Sequence, residues 1–136
     1  MKKVFRKKLK GYTLNELLVV LIIIGVLILM VLPSLLPLIT KAKTTEAQMQ
    51  LGHVHLLEQS HFYMHSIYSN DLELLGFEQS KTVEQGGKAN YLIELIDADN
   101  TGFVARATAV VDFDGDGIFN VWEINQEKDL REVVKD

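Results

Sequence analysis

Three aspartates stand at alternate positions late in the sequence. Asp112, Asp114 and Asp116 lie in DFDGDGIFNVWE, which fits the calcium-loop template D-x-[DN]-x-[DN]-G-x5-E. Carboxylates so close together repel one another unless a cation or a polar turn relieves them. We therefore expect either a calcium site formed by Asp112, Asp114, Asp116 and Asn120, or a solvated Asp-Gly turn between two strands.

The last position of the template, Glu123, is the doubtful ligand. An EF-hand needs a helix on each side of its loop, whereas residues 107–111 and 118–124 have strand character. In an extended strand Glu123 would lie about 20 Å from Asp116 and could not close the site.

Four histidines fall in one predicted helix, at positions 53, 55, 61 and 65. His61 and His65 are four residues apart and could share a metal ion, but the sequence shows no HExxH motif and no third ligand. We interpret the four as surface or groove histidines, with a metal site or a pH-sensitive contact as the open alternatives.

The sequence offers no residue constellation that is typical of an enzyme. It contains no cysteine, which excludes thiol catalysis, a disulfide framework and cysteine-ligated zinc. The Gly-x-Ser-x-Gly and phosphate-loop motifs are also missing from it. We therefore predict a non-enzymatic protein.

Charge is divided unevenly along the chain. Its 136 residues include 14 Lys and Arg against 18 Asp and Glu, and six of the basic residues fall within the first ten. The remaining chain therefore holds eight basic and eighteen acidic residues, a formal charge of −10. Direct binding to nucleic acid is not expected, because phosphate contacts need clustered Lys and Arg.

An uncharged apolar run follows the basic cluster, from residue 17 to residue 39. As a helix, residues 12–39 span roughly 40 Å, enough to cross a hydrocarbon core of about 30 Å. The basic residues before the run keep the N-terminus cytoplasmic by the positive-inside rule. Glu16 is the only charged side chain between Lys10 and Lys41, and a carboxylate at this edge either marks the membrane boundary or has a partner.

The residues KLKGYTLNELLVVLIIIGVL resemble the N-terminal segment of type IV prepilins and pseudopilins. In that family a short basic leader ends in Gly, an aromatic residue follows, and a Glu is fifth in the mature chain. The resemblance implies cleavage between Gly11 and Tyr12 by a prepilin peptidase, followed by N-methylation of Tyr12, which stands where Phe is commoner. The new ammonium group of Tyr12 would pair with Glu16 of a neighbouring subunit in a filament.

Two prolines fall inside the predicted helix. Pro33 and Pro37 each remove a backbone donor and favour a kink or local melting. The resemblance implies that Pro33 marks a helix break on assembly, and Pro37 adds a second weak point. Two simple kinks are the alternative.

The expected fold is α+β, with a long N-terminal helix that is first transmembrane and then amphipathic, packed on a small antiparallel head. We predict a helix over residues 15–67 and strands over residues 91–96, 103–111, 118–124 and 130–134. The predicted packing face of the helix comprises Ala47, Leu51, Val54, Leu57, Met64 and Tyr68. The predicted divisions are a cleaved leader, 1–11; a membrane and assembly helix, 12–39; its amphipathic continuation, 40–68; and a soluble head, 69–136.

These features predict a structural subunit of a type IV pilus-like filament that serves adhesion, motility or DNA uptake. Its expected partners are copies of itself and related pilins, the prepilin peptidase, an assembly platform in the bacterial inner membrane, and membrane lipid. The subunit would reside in that membrane, with its leader in the cytoplasm, before it enters a pilus or a periplasmic pseudopilus.

Two other functions stay open. One is a pseudopilin of a type II secretion system, since the resemblance implies calcium sites in the heads of major pseudopilins. The other is a membrane-anchored calcium-binding or adhesion module that never polymerises. The head segments FVARATA, DGDG and VWEIN resemble non-cysteine pilins and favour the pilus subunit.

Overall fold

The structure is a computed structural model that describes residues 11–136, so the predicted leader lies outside the described residues except for Gly11. The chain divides into two compact units, of which the first ends at Leu36 and the second is Pro37–Asp136. Helix α1, Leu14–His65, contributes to both units. Its bounds lie within two residues of the helix that was predicted.

In the first unit, α1 is apolar around its whole circumference. Every side chain from Leu14 to Leu36 is exposed. By length and composition α1 could cross a membrane. A helix that is apolar on all sides needs cover from lipid or from protein, and the described residues of its own unit provide none.

In the second unit, one face of α1 packs into the core. Ala47, Leu51 and Val54 are buried there as predicted, and Leu57 is partly buried beside them. Met64 was wrongly predicted to join this face, because its side chain is 70% exposed.

Helix α1 ends one residue after Met64, and the head leaves the Met64 side chain exposed. Ser66 takes a left-handed conformation with φ of 58°, and its N–H donates to the carbonyl of Phe62 at 2.7 Å. The chain leaves the helix there. Tyr68 then stacks on Phe62, with 4.6 Å between ring centroids, and packs against the core.

Four antiparallel strands form one sheet in the order β1, β2, β3, β4. Their bounds are Tyr91–Ala98 for β1, Phe103–Ala109 for β2, Val121–Asn125 for β3 and Leu130–Val134 for β4. The α+β prediction is confirmed, with a long apolar N-terminal helix and an antiparallel sheet. The predicted second strand is two residues too long and the third starts three residues too early, because residues 110–120 form a turn-rich loop.

Small side chains lie where the helix meets the sheet. Ala105, Ala107 and Ala109 alternate along β2 and are buried in the same cluster as Leu51 and Val54. This alternation is that of a sheet with one covered face. A polar contact also fixes the helix to the start of β1, since Glu46 accepts hydrogen bonds from the backbone and side-chain nitrogens of Asn90 at 2.8 and 2.7 Å.

Candidate functional site

The N-terminus of α1 is closed by a reciprocal pair of hydrogen bonds. Glu16 Oε2 accepts the backbone N–H of Thr13 at 2.8 Å and its hydroxyl at 3.1 Å. The backbone N–H of Glu16 in turn donates to Thr13 Oγ1 at 3.2 Å. This arrangement is a capping box, which satisfies donors that the first turn of a helix leaves free.

The carboxylate of Glu16 is therefore held by its own chain. A lone carboxylate at the edge of an apolar helix is costly, and the bonds from Thr13 lower that cost. Sequence reasoning did not assign this role to Thr13, although the spacing Thr-x-x-Glu before an apolar run is a recognised signal for it.

The two residues at the predicted cleavage point are accessible. Tyr12 is 82% exposed. A Cβ placed on Gly11 would meet no atom within 4 Å, so nothing among the described residues requires a glycine at this position.

Helix α1 continues through both prolines. Because proline has no N–H, Pro33 leaves the carbonyl of Leu29 without its usual helical bond, and Pro37 does the same to the carbonyl of Pro33. Between them, the hydroxyl of Ser34 donates to the carbonyl of Val31 at 2.7 Å. The break predicted at Pro33 and Pro37 concerns assembly and stays a prediction.

The loop between β2 and β3 folds around the carboxylate of Asp112. Its Oδ1 accepts the N–H of Gly115 at 2.6 Å, and its Oδ2 accepts the N–H of Gly117 at 2.7 Å. The two glycines have φ of 86° and 87°, which other residues rarely adopt. The N–H groups of Gly117 and Gly115 hold the pKa of Asp112 below its usual range, so this carboxylate stays ionised.

The other two aspartates of the loop cap the backbone that follows them. Asp114 Oδ1 accepts the N–H of Asp116 at 3.0 Å, and Asp116 Oδ1 accepts the N–H of Ile118 at 2.7 Å. Both side chains are exposed. These bonds form a polar Asp-Gly turn, which is one of the two structures that the sequence predicts for this loop.

A fourth carboxylate, which the sequence did not indicate, joins the three. One oxygen from each of Asp112, Asp114, Asp116 and Asp136 lies within 4.8 Å of the others. Asp136 Oδ2 accepts the N–H of Phe113 at 2.8 Å. Asp136 Oδ1 is buried and has no hydrogen-bond partner in residues 11–136. We call these four residues the acidic group.

Asn120, the fourth predicted ligand, is buried in the head. Its Oδ1 accepts the hydroxyl of Tyr91 at 2.8 Å, and burial raises the pKa of that hydroxyl. Its Nδ2 donates to Glu132 at 2.7 Å and to the carbonyl of Val134 at 3.1 Å. The structure therefore places Asn120 in the core and brings Asp136 to the loop aspartates instead.

Glu123 takes part in a row of charges across the sheet. It lies in β3 and pairs with Arg106 at 2.7 Å and with Arg131 at 3.6 Å. Both arginines are its register partners on the adjacent strands. Glu123 is therefore bound on the sheet, in agreement with the expectation that a strand would keep it from closing a calcium loop.

The acidic group has the chemistry of a hard-cation site. Calcium takes carboxylate oxygens as ligands, and an oxygen that accepts one N–H keeps a lone pair for a cation. The buried Asp136 Oδ1 has lost water without gaining a hydrogen bond, which leaves it uncompensated. The four residues thus fit a calcium ion, which would neutralise their mutual repulsion.

Two of the four histidines lie side by side on helix α1. The rings of His61 and His65 are 4.5 Å apart, and His61 Nδ1 lies 2.8 Å from the carbonyl of Ile67. Within residues 11–136 the group of three or more potential ligands is the acidic group, which contains neither of them. His55, predicted like the other three to lie on the surface or in a groove, is buried, with Nε2 at 3.3 Å from the carbonyl of Gln126.

Comparison with known families supports the resemblance at the N-terminus. Residues 6–32 match the family described as the prokaryotic N-terminal methylation motif. This motif is the signature of type IV pilins and pseudopilins, and the match includes Gly11, Tyr12 and Glu16. The chain matches no curated protein.

Proteins with this motif are structural rather than enzymatic, are processed by a peptidase and assemble with other pilins. The motif and the long apolar helix together indicate that the chain is anchored in a membrane. The match ends at residue 32 and does not extend to the head.

Proposed function

We propose that this chain, which carries the signature of type IV pilins and pseudopilins, is a structural subunit of a type IV pilus-like filament. A prepilin peptidase cleaves it after Gly11, and its N-terminal helix then assembles with copies of itself and with related pilins. The filament serves adhesion, motility or DNA uptake. The chain itself catalyses no reaction.

One observation supports this proposal above the others. The carboxylate of Glu16, bonded to Thr13 in a single copy, stands at the start of a helix whose side chains are all exposed as far as Leu36. Such a helix is stable in lipid and equally able to pack against other helices. The capping box keeps the carboxylate bonded until a partner replaces Thr13.

The replacement would be driven by charge. Cleavage creates an ammonium group on Tyr12, and the ammonium of an incoming or neighbouring copy would bind Glu16. Thr13 offers the carboxylate only neutral donors, whereas the ammonium adds a full positive charge, and the attraction between two opposite charges strengthens in a low dielectric. The exchange from Thr13 to ammonium would fix the axial register of each added subunit.

The proposed location follows from charge and hydropathy. The basic residues before the apolar run keep the N-terminus in the cytoplasm, where the peptidase would act. The head would lie on the opposite side of a bacterial inner membrane until the helix moves into a filament. Lipid and an inner-membrane assembly platform are then its partners before assembly.

Mass spectrometry of the mature N-terminus tests the proposal. We expect a chain that begins at N-methylated Tyr12. Substitution of Gly11 by valine should leave uncleaved precursor in the membrane, while Tyr12→Phe should be cleaved and methylated normally. An intact N-terminus on the wild-type chain in cells with an active peptidase would refute the proposal and favour a membrane-anchored module that never polymerises.

A pseudopilin of a type II secretion system is the second candidate, and the acidic group is the observation that favours it. Filaments recovered from the cell surface by shearing would support the pilus subunit. A secretion defect in a deletion strain that has no surface filaments would support the pseudopilin.

We also propose that the acidic group binds calcium through Asp112, Asp114, Asp116 and Asp136. The support is the close approach of the four carboxylates and the unsatisfied buried oxygen of Asp136. The ion would fix the loop against the C-terminal residues of the head, in the place of the disulfide bond that many pilins use.

A further inference from the structure

The sheet has an outer face, opposite to the face that packs on helix α1. The alanines of β2 are buried in the same cluster as residues of α1, and Arg106 lies between two of them. Successive side chains of a strand point to opposite faces, so Arg106 lies on the outer face. Antiparallel register partners share a face, and those of Arg106 are Glu94 in β1 and Glu123 in β3. Arg131 of β4 is opposite Glu123 in turn.

The charges of these four residues alternate in sign across the sheet. We call them the charge row, which in strand order is Glu94, Arg106, Glu123 and Arg131. Its two inner members are bonded at 2.7 Å. Its two outer members are exposed, with 63% of the Arg131 side chain accessible. Both ends of the row are therefore accessible to charges from outside the single copy.

An alternating row of this kind is complementary to itself. If a second sheet faces the first after a half-turn about an axis parallel to the strands, its β4 lies over β1 and its β3 over β2. Arg131 of the second copy then meets Glu94, and its Glu123 meets Arg106. A half-turn about an axis that crosses the strands would bring like charges together instead. Opposite charges across an interface fix the orientation and the register of the partner.

A largely apolar row runs beside the charge row on the same face. By strand register it consists of Leu92, Thr108, Val121 and Val134. Val134, at the edge of the sheet, is 37% exposed, and the other three are partly exposed. The same half-turn brings Leu92 over Val134 of the second copy, so apolar side chains would be removed from water beside the paired charges. Facing sheets pack about 10 Å apart with their strands aligned, which allows these contacts.

The area of the outer face decides what kind of contact it can make. Four strands about 4.8 Å apart and about 17 Å long present on the order of 300 Å² per copy. Stable pairs of proteins bury about 800 Å² per partner. One pair of heads would therefore dissociate readily, whereas many pairs held along two filaments would bind together through avidity.

We propose that the outer face of the sheet docks on the same face of a second copy that belongs to another filament, so that filaments associate side by side. The inference rests on the proposed function, because the contact needs filaments. In that function α1 lies inside the filament, so the sheet face that packs on α1 points inwards and the outer face points away. The chain after its first ten residues has a formal charge of −10, so heads repel one another unless opposite charges are aligned.

Two charge reversals, examined separately and then mixed, test the contact. Glu94→Arg places a positive charge against Arg131 of the second copy, and Arg131→Glu places a negative charge against its Glu94. Wild-type filaments should form bundles in electron micrographs, and filaments of either variant should stay single. A mixture of the two variant filaments, each with its own fluorescent label, should form bundles that contain both labels, because every facing pair is then opposite in sign.

General electrostatics predicts a different result for one variant. Glu94→Arg makes the chain less negative by two charges, so a contact governed by net charge would strengthen, whereas we expect it to be lost. Glu84→Arg and Lys88→Glu make the same reversals at exposed positions outside the sheet and should bundle as the wild type does. The unfolding midpoint of each full chain in detergent, followed by its single tryptophan, Trp122, verifies folding.

Cross-linking tests the same contact with the charge row intact, because the natural chain has no cysteine. Leu92→Cys filaments are mixed with Val134→Cys filaments and treated with a short thiol-specific cross-linker. We expect linked dimers in the mixture and none in either preparation alone. Equivalent residues of the two docked copies lie at opposite edges of the sheet, about 14 Å apart, which is the width of three strand spacings.

The outcomes separate this inference from the proposed function. Wild-type filaments that stay single would overturn the docking surface and leave the pilin function intact. Bundles at the wild-type level from either charge variant alone, or a mixture that neither bundles nor cross-links, would also overturn it. A wild-type chain that forms no filament would refute the proposed function and this contact with it.

Discussion

The two parts of helix α1 differ in what covers their apolar side chains. From Leu14 to Leu36 no residue in the described range 11–136 covers them, whereas Leu51 and Val54 are buried under the sheet. Burial within one copy contributes to the stability of that copy, while an exposed apolar side chain contributes only after lipid or another chain covers it. Substitutions in the first part should therefore affect assembly, and those on the buried face should affect folding.

The largest expected effect comes from substitution of Glu16, which should prevent assembly without preventing cleavage. Glu16→Leu removes the carboxylate that would bind the ammonium of a neighbouring Tyr12, so filaments should fall to background while cleavage after Gly11 continues. The measurements are the yield of sheared filaments and the mass of the mature N-terminus. Asn15→Leu adds the same side chain one position earlier and should assemble; filaments at the wild-type level from Glu16→Leu would contradict the proposed pairing.

The next effect concerns the buried face of the helix. Leu51→Ala removes a fully buried side chain and should reduce the free energy of unfolding of the head by about 2–5 kcal/mol. Leu56→Ala makes the same change at a side chain that is 61% exposed and should change that free energy by less than about 0.5 kcal/mol. Trp122 packs against the core, so its fluorescence in denaturant, with the full chain in detergent, measures both.

The pair Leu51 and Leu56 sharpens the comparison because residue type, helix and substitution are the same. If both variants lost equal stability, Leu56 would be covered within a single copy. If neither did, α1 would not contribute its buried face to the stability of the head.

Calcium should stabilise the head and leave the exposed part of α1 unchanged. An ion that binds only the folded state adds about 2.7 kcal/mol at a hundredfold excess over its dissociation constant. We expect the Trp122 unfolding midpoint to rise with calcium and to return to its starting value with EGTA. Asp114→Asn keeps an oxygen for the N–H of Asp116 but removes a charge from the acidic group, so its calcium response should be weaker.

Asp99→Asn is the matched control for the acidic group. Asp99 also closes a turn, with Oδ1 accepting the hydroxyl and N–H of Thr101 at 2.6 Å each, and these bonds hold its pKa below the usual range. It lies outside the acidic group, so its calcium response should equal that of the wild type. A wild-type midpoint that is indifferent to both calcium and EGTA would count against the site.

The fold was largely predictable because its signals are local. The helix follows from apolar periodicity and the strands from runs that end at Asp, Asn and Gly, which hydrogen-bond their own turns. The acidic group was predictable only in part. Asp136 is twenty residues from Asp116 in sequence, and it reaches the loop because β4 pairs with β3.

Asn120 and Glu58 show what residue type alone cannot predict. Asn120 fits the calcium template, but its placement depends on the buried hydroxyl of Tyr91, which lies in another strand. A glutamate in an amphipathic helix is ordinarily exposed to solvent, yet Glu58 is fully buried. In both cases the partner lies outside the residue's own element, 11 residues away for Glu58 and 29 for Asn120, and local pattern carries no information about it.

The smallest expected effect concerns Glu58 and its pH dependence. Its Oε2 accepts the N–H of Ser69 at 3.0 Å, while its Oε1 is buried without a hydrogen-bond partner in residues 11–136. Burial raises the pKa of Glu58, and the Ser69 N–H and the nearby His61 oppose that shift in part. The folded head therefore favours the protonated form more than the unfolded chain does.

The sign of the pH effect follows from that difference. The stability that Glu58 contributes is fully present below the ordinary glutamate pKa of about 4.3 and is lost as pH rises through the raised pKa of the folded head. Glu58→Gln keeps an oxygen for Ser69 and cannot ionise. Relative to wild type it should therefore gain stability as pH rises, on the order of 1 kcal/mol, the scale of one buried hydrogen bond.

Denaturant unfolding of both chains from pH 4 to pH 8, followed by Trp122, measures this difference. The two chains differ at residue 58 alone, so the difference between their curves reports on Glu58. Glu84→Gln changes an exposed glutamate and should run parallel to the wild type over the whole range. Parallel curves for Glu58→Gln as well would mean that Glu58 is solvated in solution. This turn of α1 would then be left uncovered by the head, as the first part of the helix is.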